Sequence, residues 1–315
     1  MAYPSIERRR VLAAAALGRE VGVPGPDPGS GDPLHAVTGT ILDVSPHLMT
    51  IERPDGRTDR LIIAPWATIW RGAEVTPADL PVGARVIMRT SRERKVVERV
   101  WADIVRITGT ILSVEGRKDL VVELHCGPHR GRRTVVIPYR ATGRLQVRHP
   151  QLEPGYLFDA IGIRQDGTTL ALLPATSQPT YPARAVPPAP PAYAGVQPRI
   201  SGTATWSDAF DEEERGLAYP MLERADAACP DAGVSCAGLP YLALGSLLQI
   251  RNSCTDRTAN LPIVTCGCVA GRFCDRCVEC GTSERGRIVE LSPSSYIELG
   301  GELVKGCFNV QIGLG

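Results

Sequence analysis

Aromatic side chains are scarce: Phe, Tyr and Trp make up 5% of the 315 residues. A single-strand nucleic-acid platform needs rings interleaved with a cationic groove, and the basic runs here have few rings near them. Histidine is sparse too, five in all, and none lies beyond His149. The last half of the chain therefore holds no imidazole to carry protons. No apolar run approaches the ~20 residues needed to span a bilayer as a helix. There is no phosphate-cradling glycine loop, no dinucleotide fingerprint and no Ser-His-Asp grouping, which sets aside the chemistries those motifs serve.

What is abundant is turn chemistry. Gly and Pro number 32 and 27, which favours short strands between tight turns over long helices. The length allows two or three domains. The net charge of +1 hides an asymmetry. Of 35 Lys and Arg and 34 Asp and Glu, 9 and 15 lie from Ile200 onward, net −6, leaving 26 against 19, net +7, before it. The two parts can attract each other, or the opposite part of a neighbouring copy. At the N-terminus, Arg8, Arg9 and Arg10 precede Val11-Leu-Ala-Ala-Ala-Ala-Leu17, like the start of a twin-arginine export signal. A charged pair, Arg19 and Glu20, soon follows, with no small-residue cleavage site. The expectation is one short N-terminal helix, so export has to be argued from the cysteines.

An internal repeat organises the next part. Val37-Thr-Gly-Thr-Ile-Leu-Asp-Val44 matches Ile107-Thr-Gly-Thr-Ile-Leu-Ser-Val114, 70 residues later. Each copy continues with a second strand candidate (Leu48 to Glu52; Leu120 to Leu124) and a β-branched run (Leu61 to Ile63; Thr134 to Ile137). Each then reaches a Pro-x-Gly or Pro-Gly entry to another strand (Ala84 to Met88; Tyr156 to Ile161). Alternating Val, Ile and Thr between Gly/Pro punctuation is the strand signature, and about five such strands in ~70 residues suit a small closed barrel. At these residues the copies resemble small bacterial OB-like barrels, typified by a "V-x-G-x-I" opening and an "L-x-x-G-x-x-V" closing strand. That family brings no established chemistry. Eight prolines from Pro174 to Pro198 then predict an extended, semi-rigid spacer.

Nine of ten cysteines fall between Cys229 and Cys307: Cys229, Cys236, Cys254, Cys266, Cys268, Cys274, Cys277, Cys280 and Cys307. Such density fits a small secreted domain that supplements its core with disulfides, placing the protein outside the cell or in its envelope. The odd count leaves one thiol free, paired with Cys126, or paired with another chain. Zinc is the competing reading. Cys266-Gly-Cys268, Cys274, Cys277 and Cys280 contain two overlapping C-x-x-C steps, and His125-Cys126-x-x-His129 has ligand-like spacing. The scatter of the other cysteines favours disulfides, with no metal and no cofactor expected.

Ser201-Gly-Thr-Ala-Thr-Trp206, the strand Gly245 to Ile250, Asp275-Arg-Cys-Val-Glu-Cys280, Gly286-Arg-Ile-Val-Glu-Leu-Ser-Pro293 with a helix from about Ser294 to Leu299, and the closing strand Gly306 to Ile312 follow one another in order. This order resembles the double-psi β-barrel of expansin-like and barwin-like proteins. In that family two acidic residues face a shallow polysaccharide groove, and the resemblance places them at Asp275 and Glu290. A carboxylate there can hydrogen-bond sugar hydroxyls or, with its pKa raised, protonate a glycosidic oxygen. Glu290 is one methylene longer than the family's Asp. Leu239 stands where the lytic transglycosylase branch carries His. Both departures count against proton-transfer catalysis. The bland alternative has Asp275 and Glu290 satisfying backbone amides at a turn and a helix start. Trp206, Tyr219 and Tyr241 either stack on sugar or pack in the core.

The expected fold is all-β: an N-terminal helix and loop (1–34), two OB-like barrels (35–104 and 105–173), a proline-rich linker (174–199) and a disulfide-rich double-psi barrel (200–315). The expected role is that of a non-catalytic extracellular or envelope protein. Its last barrel associates with polysaccharide or acts as a building block. The alternatives are a self-assembling subunit of a fibre, sheath or coat and, less favoured, a peptidoglycan-cleaving enzyme. Expected partners are wall polysaccharide or further copies of the chain, not nucleic acid. Arg85, Arg89, Arg92, Arg94, Lys95, Arg130, Arg132 and Arg133 form either a solvated face or a contact for an anionic wall polymer.

Overall fold

The computed structural model describes residues 33–91, 94–127, 130–175, 182–184, 199–211, 213–223, 235–267 and 269–314. The expected N-terminal helix, most of the proline run, Arg92, His129, Cys229 and Cys268 lie outside them. The described chain is all-β and forms three closed barrels, in two compact units that divide between Asp103 and Ile104.

The first unit contains β1 (His35–Val44), β2 (Leu48–Glu52), β3 (Thr58–Trp70), β4 (Glu74–Val75), β5 (Arg85–Ser91) and β6 (Val96–Ala102). Strands pair in the order β2-β1-β5-β6-β3, and β2 also pairs with β3, which closes the ring; β4 extends β3. The β3–β6 pairing is parallel. Strict alternation in β2, where Met49 and Ile51 are buried and Leu48 and Glu52 exposed, turns one face inward. With Val37, Ile41, Leu61, Ile63, Val86, Met88 and Val97 these residues make the core.

The second barrel repeats the plan: β7 (Ile104–Glu115), β8 (Leu120–His125), β9 (Arg132–Ile137), α1 (Tyr139–Gln146), β10 (Leu157–Gln165) and β11 (Thr168–Pro174). Its ring runs β7-β8-β9-β11-β10, with β9 and β11 parallel. The repeated Thr-Gly-Thr-Ile motif now has a physical reason. A Cβ on Gly39 would lie 2.7 Å from the Glu52 carbonyl oxygen, and one on Gly109 would lie 2.8 Å from that of His125. Just after each glycine the pairing register shifts, between Ile41 and Asp43 and between Ile111 and Ser113. A close approach followed by an irregularity bends the first strand so that the sheet can close on itself.

The third barrel has β12 (Arg199–Trp206), β13 (Leu217–Tyr219), β14 (Leu247–Asn252), β15 (Thr258–Cys266), β16 (Arg287–Leu291) and β17 (Cys307–Leu314), ringed β12-β16-β13-β15-β14-β17. Helix α2 (Pro293–Glu298) follows β16. Its start is local chemistry: Pro293 occupies the first turn, and the Ser292 hydroxyl accepts from the Ser295 amide.

The second and third barrels belong to one compact unit. The expectation that prolines hold them apart is corrected here. The short described piece of the run, residues 182–184, is pinned at their junction. The Ala183 amide donates to Gly155 O at 2.7 Å, and Arg272 of the third barrel donates to Ala183 O at 2.7 Å. Leu157, Ala183 and Phe273 bury a small apolar cluster there, with Val269 against it.

Because no side chain fits between β7 and β8 at the repeated glycine, Gly109→Ala is expected to destabilise the second unit by about 1–3 kcal/mol, as overpacking typically does. Urea unfolding of the variant against wild type measures it.

Candidate functional site

The two acidic positions of the last barrel lie at the junction with the second barrel. Asp275 is 4% exposed and Glu290 1%. Asp275 precedes β16 in sequence and is gripped from it: Arg287 Nε donates to its Oδ1 at 2.7 Å and Nη2 to its Oδ2 at 3.1 Å. The same Arg287 Nη2 also donates to Asp159 Oδ2, on β10 of the second barrel. Asp159 in turn accepts from Arg106 on β7, at 3.1 and 2.7 Å, and from the Thr108 hydroxyl at 2.9 Å. Arg106 Nη1 reaches back into the third barrel, to Gly306 O at 2.6 Å. Arg106, Asp159, Arg287 and Asp275 thus alternate in sign along one buried chain that crosses from barrel to barrel. The Phe273 ring lies 4.0 Å below the Arg287 guanidinium, a cation–π contact of the kind favoured where water is excluded.

Burial opposes the charge of Asp159, but the guanidinium groups of Arg106 and Arg287 outweigh it and hold the carboxyl down to about 2. Burial likewise opposes the charge of Arg287, and Asp159 and Asp275 override it, so its pKa rises. His149 sits at the edge of this cluster, fully buried. Its Nε2 donates to the Asp159 carbonyl at 2.9 Å, which fixes the tautomer, and its ring lies against Phe158. Burial pushes its pKa down, leaving a neutral imidazole.

Around this centre the remaining charges complement one another. Arg130 Nη2 stands 3.8 Å from Glu290 Oε2, and Arg133 Nη1 donates to Asp208 Oδ2 at 3.1 Å. Both arginines belong to the second barrel and both carboxylates to the third. Gly127, at φ 104°, lets the β8–β9 turn approach the third barrel, where a Cβ would meet Val269 at 2.8 Å. At these two pairs a cation of the basic segment meets an anion of the acidic segment within one molecule.

These positions correct several expectations. Asp275 does not serve backbone amides at a turn; Arg287 holds both of its oxygens. Glu290 does not cap a helix, because Ser292 does. Neither acid is open to solvent: Asp275 is held by Arg287 of its own barrel, and Glu290 stands beside Arg130 of the second. Trp206 and Tyr219 have no ring surface for sugar. Both are fully buried, with the Trp206 indole donating to Leu303 O at 2.8 Å and the Tyr219 hydroxyl to Pro240 O at 3.0 Å. Of the stacking candidates only Tyr241, 58% exposed, presents its ring.

Among the described residues three disulfides can be traced at both ends: Cys236–Cys274, Cys254–Cys280 and Cys277–Cys307. Cys266 is disulfide-bonded as well. The three sulfurs of the C-x-x-C steps thus pair with three different partners rather than converge. Among the described residues no three His, Cys, Asp or Glu side chains gather as metal ligands would. Cys126 is a free, buried thiol whose pKa burial raises. His125 beside it is exposed, as strand alternation requires.

Nothing in the residue pattern singled out Arg106, Asp159, Arg287 or His149. One signal was present. Where the second copy of the repeat has Arg106, and Asp159 opposite Thr108, the first copy has Ala36, and Ile87 opposite Thr38. Charges at strand positions that are apolar in a sister copy mark a face put to other use. No protein-family model matches the chain, and no curated protein matches it in sequence.

Removing one member of a buried charge chain strands its partners. Arg287→Met is expected to cost about 3–5 kcal/mol, read by chemical denaturation of the second unit. The pH dependence follows from Asp159. Its folded pKa lies below the ordinary 3.8, so its contribution is complete above that value. It is lost as pH falls toward about 2, because the unfolded chain binds the proton first. On the order of 2 kcal/mol is at stake. In Asp159→Asn, acid unfolding between those values should take up about one proton fewer, measurable from the slope of stability against pH.

Proposed function

We propose that the protein is a non-catalytic structural component of the cell exterior or envelope. In this reading an expansin-like double-psi barrel has become a building block by docking its acidic face onto an OB-like barrel. The observation that carries it is the engagement of Asp275 by Arg287 within the network that also binds Asp159 and Arg106. A general acid must meet a glycosidic oxygen, and here both carboxylate oxygens are occupied under a neighbouring barrel. The five-stranded rings of the first two barrels and the six-stranded ring of the third support the suggested family likenesses. The paired cysteines support an oxidising location. No helix among the described residues is long and apolar enough to cross a membrane.

A polysaccharide contact is the second reading, favoured by Tyr241, which is exposed in a segment that also exposes Leu244 and Leu247. Self-assembly into a fibre or coat has less to draw on. Arg133 already pairs with Asp208, and Arg130 stands near Glu290, within the chain, and Cys126, the free cysteine among the described residues, is buried.

Incubation with purified peptidoglycan and with cellulose tests the first reading. Wild type is expected to release no soluble sugar fragments, and a release that Asp275→Asn abolishes would overturn the proposal. Retention on either polymer at low salt, lost in Tyr241→Ala, would establish the second reading. Size-exclusion chromatography with and without reductant is expected to give a monomer in both conditions.

A further inference from the structure

The basic residues first suspected of meeting an anionic polymer include two, Arg130 and Arg133, that are committed to the barrel junction. A different set is free. Helix α1 and the turn after it carry Arg140, Arg144 and Arg148, all exposed. The turn is continuous with the helix, since the Arg148 amide donates to Leu145 O at 3.0 Å. The three arginines therefore recur one turn apart, about 6 Å along the axis. The β7–β8 hairpin meets the start of the same helix, its Asp119 Oδ1 accepting from the Tyr139 amide at 2.8 Å. It adds Arg117 and Lys118, also exposed. None of these five cations has an ion-pair or hydrogen-bond partner among the described residues, whereas the arginines of the barrel junction are each engaged. The exposed acids in these segments are Glu115, Asp119, which caps the helix, and Glu153 beyond it.

We propose that this row of cations is a docking surface for a phosphodiester-linked wall polymer. The reading of the protein as an envelope component supplies the choice of polymer; the charge supplies the site. Guanidinium groups bind phosphate oxygens in a bidentate fashion, and a row of them suits a repeating anion better than a single one. A bilayer is the poorer occupant. The apolar side of α1, Ala141 and Leu145, is buried, and the exposed apolar side chains beside the row, Tyr139 and Val147, stand at opposite ends of it and form no continuous face to insert among lipids. Nucleic acid is the poorer occupant as well, because Tyr139 is the one aromatic ring on the helix and offers no platform of stacked bases.

Binding of poly(glycerol phosphate) of defined length to the full chain, titrated at several salt concentrations, tests the proposal. The variant Arg140→Gln/Arg144→Gln/Arg148→Gln removes only exposed charge, so its circular dichroism should match wild type. Its affinity at low salt is expected to fall tenfold or more, and the slope of log affinity against log salt to drop by about 2. A control with the same charge change on the first barrel, Arg57→Gln/Arg85→Gln/Arg94→Gln, is expected to bind within about twofold of wild type, the stripe contacts being intact. Equal loss in both variants would mean bulk charge and overturn the site, as would no binding by wild type. Tighter binding of a thymidine oligonucleotide, or of vesicles containing phosphatidylglycerol, through the same arginines would overturn the choice of polymer. None of these outcomes depends on release of sugar fragments, so the failure of this proposal and of the non-catalytic reading are separable.

Discussion

Four side chains, Arg106, Asp159, Arg287 and Asp275, alternate in charge through the junction of the second and third barrels, and the arrangement of that whole unit depends on them. Each arginine lies between acceptors, Asp159 lies between the two arginines, and Asp275 ends the row on Arg287. The set is neutral as a group, which is the condition under which charge tolerates removal from water. Its value is directional more than energetic. An apolar junction of the same area could slide, whereas bidentate contacts from Arg287 to Asp275 and from Arg106 to Asp159 fix one register of barrel on barrel. The Thr108 hydroxyl and the Gly306 carbonyl extend the coordination, while Arg287 Nη1 and His149 Nδ1 are buried without a hydrogen-bond partner among the described residues.

That same constraint leaves Asp275 and Glu290 of the third barrel out of contact with solvent. The second barrel brings Arg130 to Glu290, and Asp275 is held by its own neighbour on β16. The disulfides act on a different part of the problem. They tie the segment from Cys236 to Cys280, which has little regular structure beyond β14 and β15, to the barrel wall at Cys307. Restricting the unfolded chain in this way stabilises a domain whose core is small. Covalent staples hold the barrel's outer loops, and buried charge sets its partner.

Much of the fold could be read from residue order. The Thr-Gly-Thr-Ile repeat announced duplicated barrels, and the strands fell where β-branched alternation placed them. The helix after Leu-Ser-Pro began within a residue of its expected start, because Ser292 and Pro293 are local signals. The site was less legible. Asp275 lies within the junction network and Glu290 beside it, but a family resemblance cannot say what another domain places against such residues. Trp206 illustrates the same limit: a ring at the end of a strand points inward or outward according to the pleat, and the pleat is set by partners far along the chain.

The sequence by itself determined the class of structure, the duplication and the cysteine-rich character of the last domain, because these depend on periodicity, turn residues and composition, which act over a few residues. It also determined that positive and negative charge would be segregated along the chain. Only the tertiary structure decided that the two charges meet inside one molecule, that Arg106 and Asp159 bridge to Arg287, and that the acidic face is closed. Those contacts join residues up to 200 positions apart. Electrostatic attraction between such distant groups becomes specific only once the strands carrying them have been fixed by burial and hydrogen bonding.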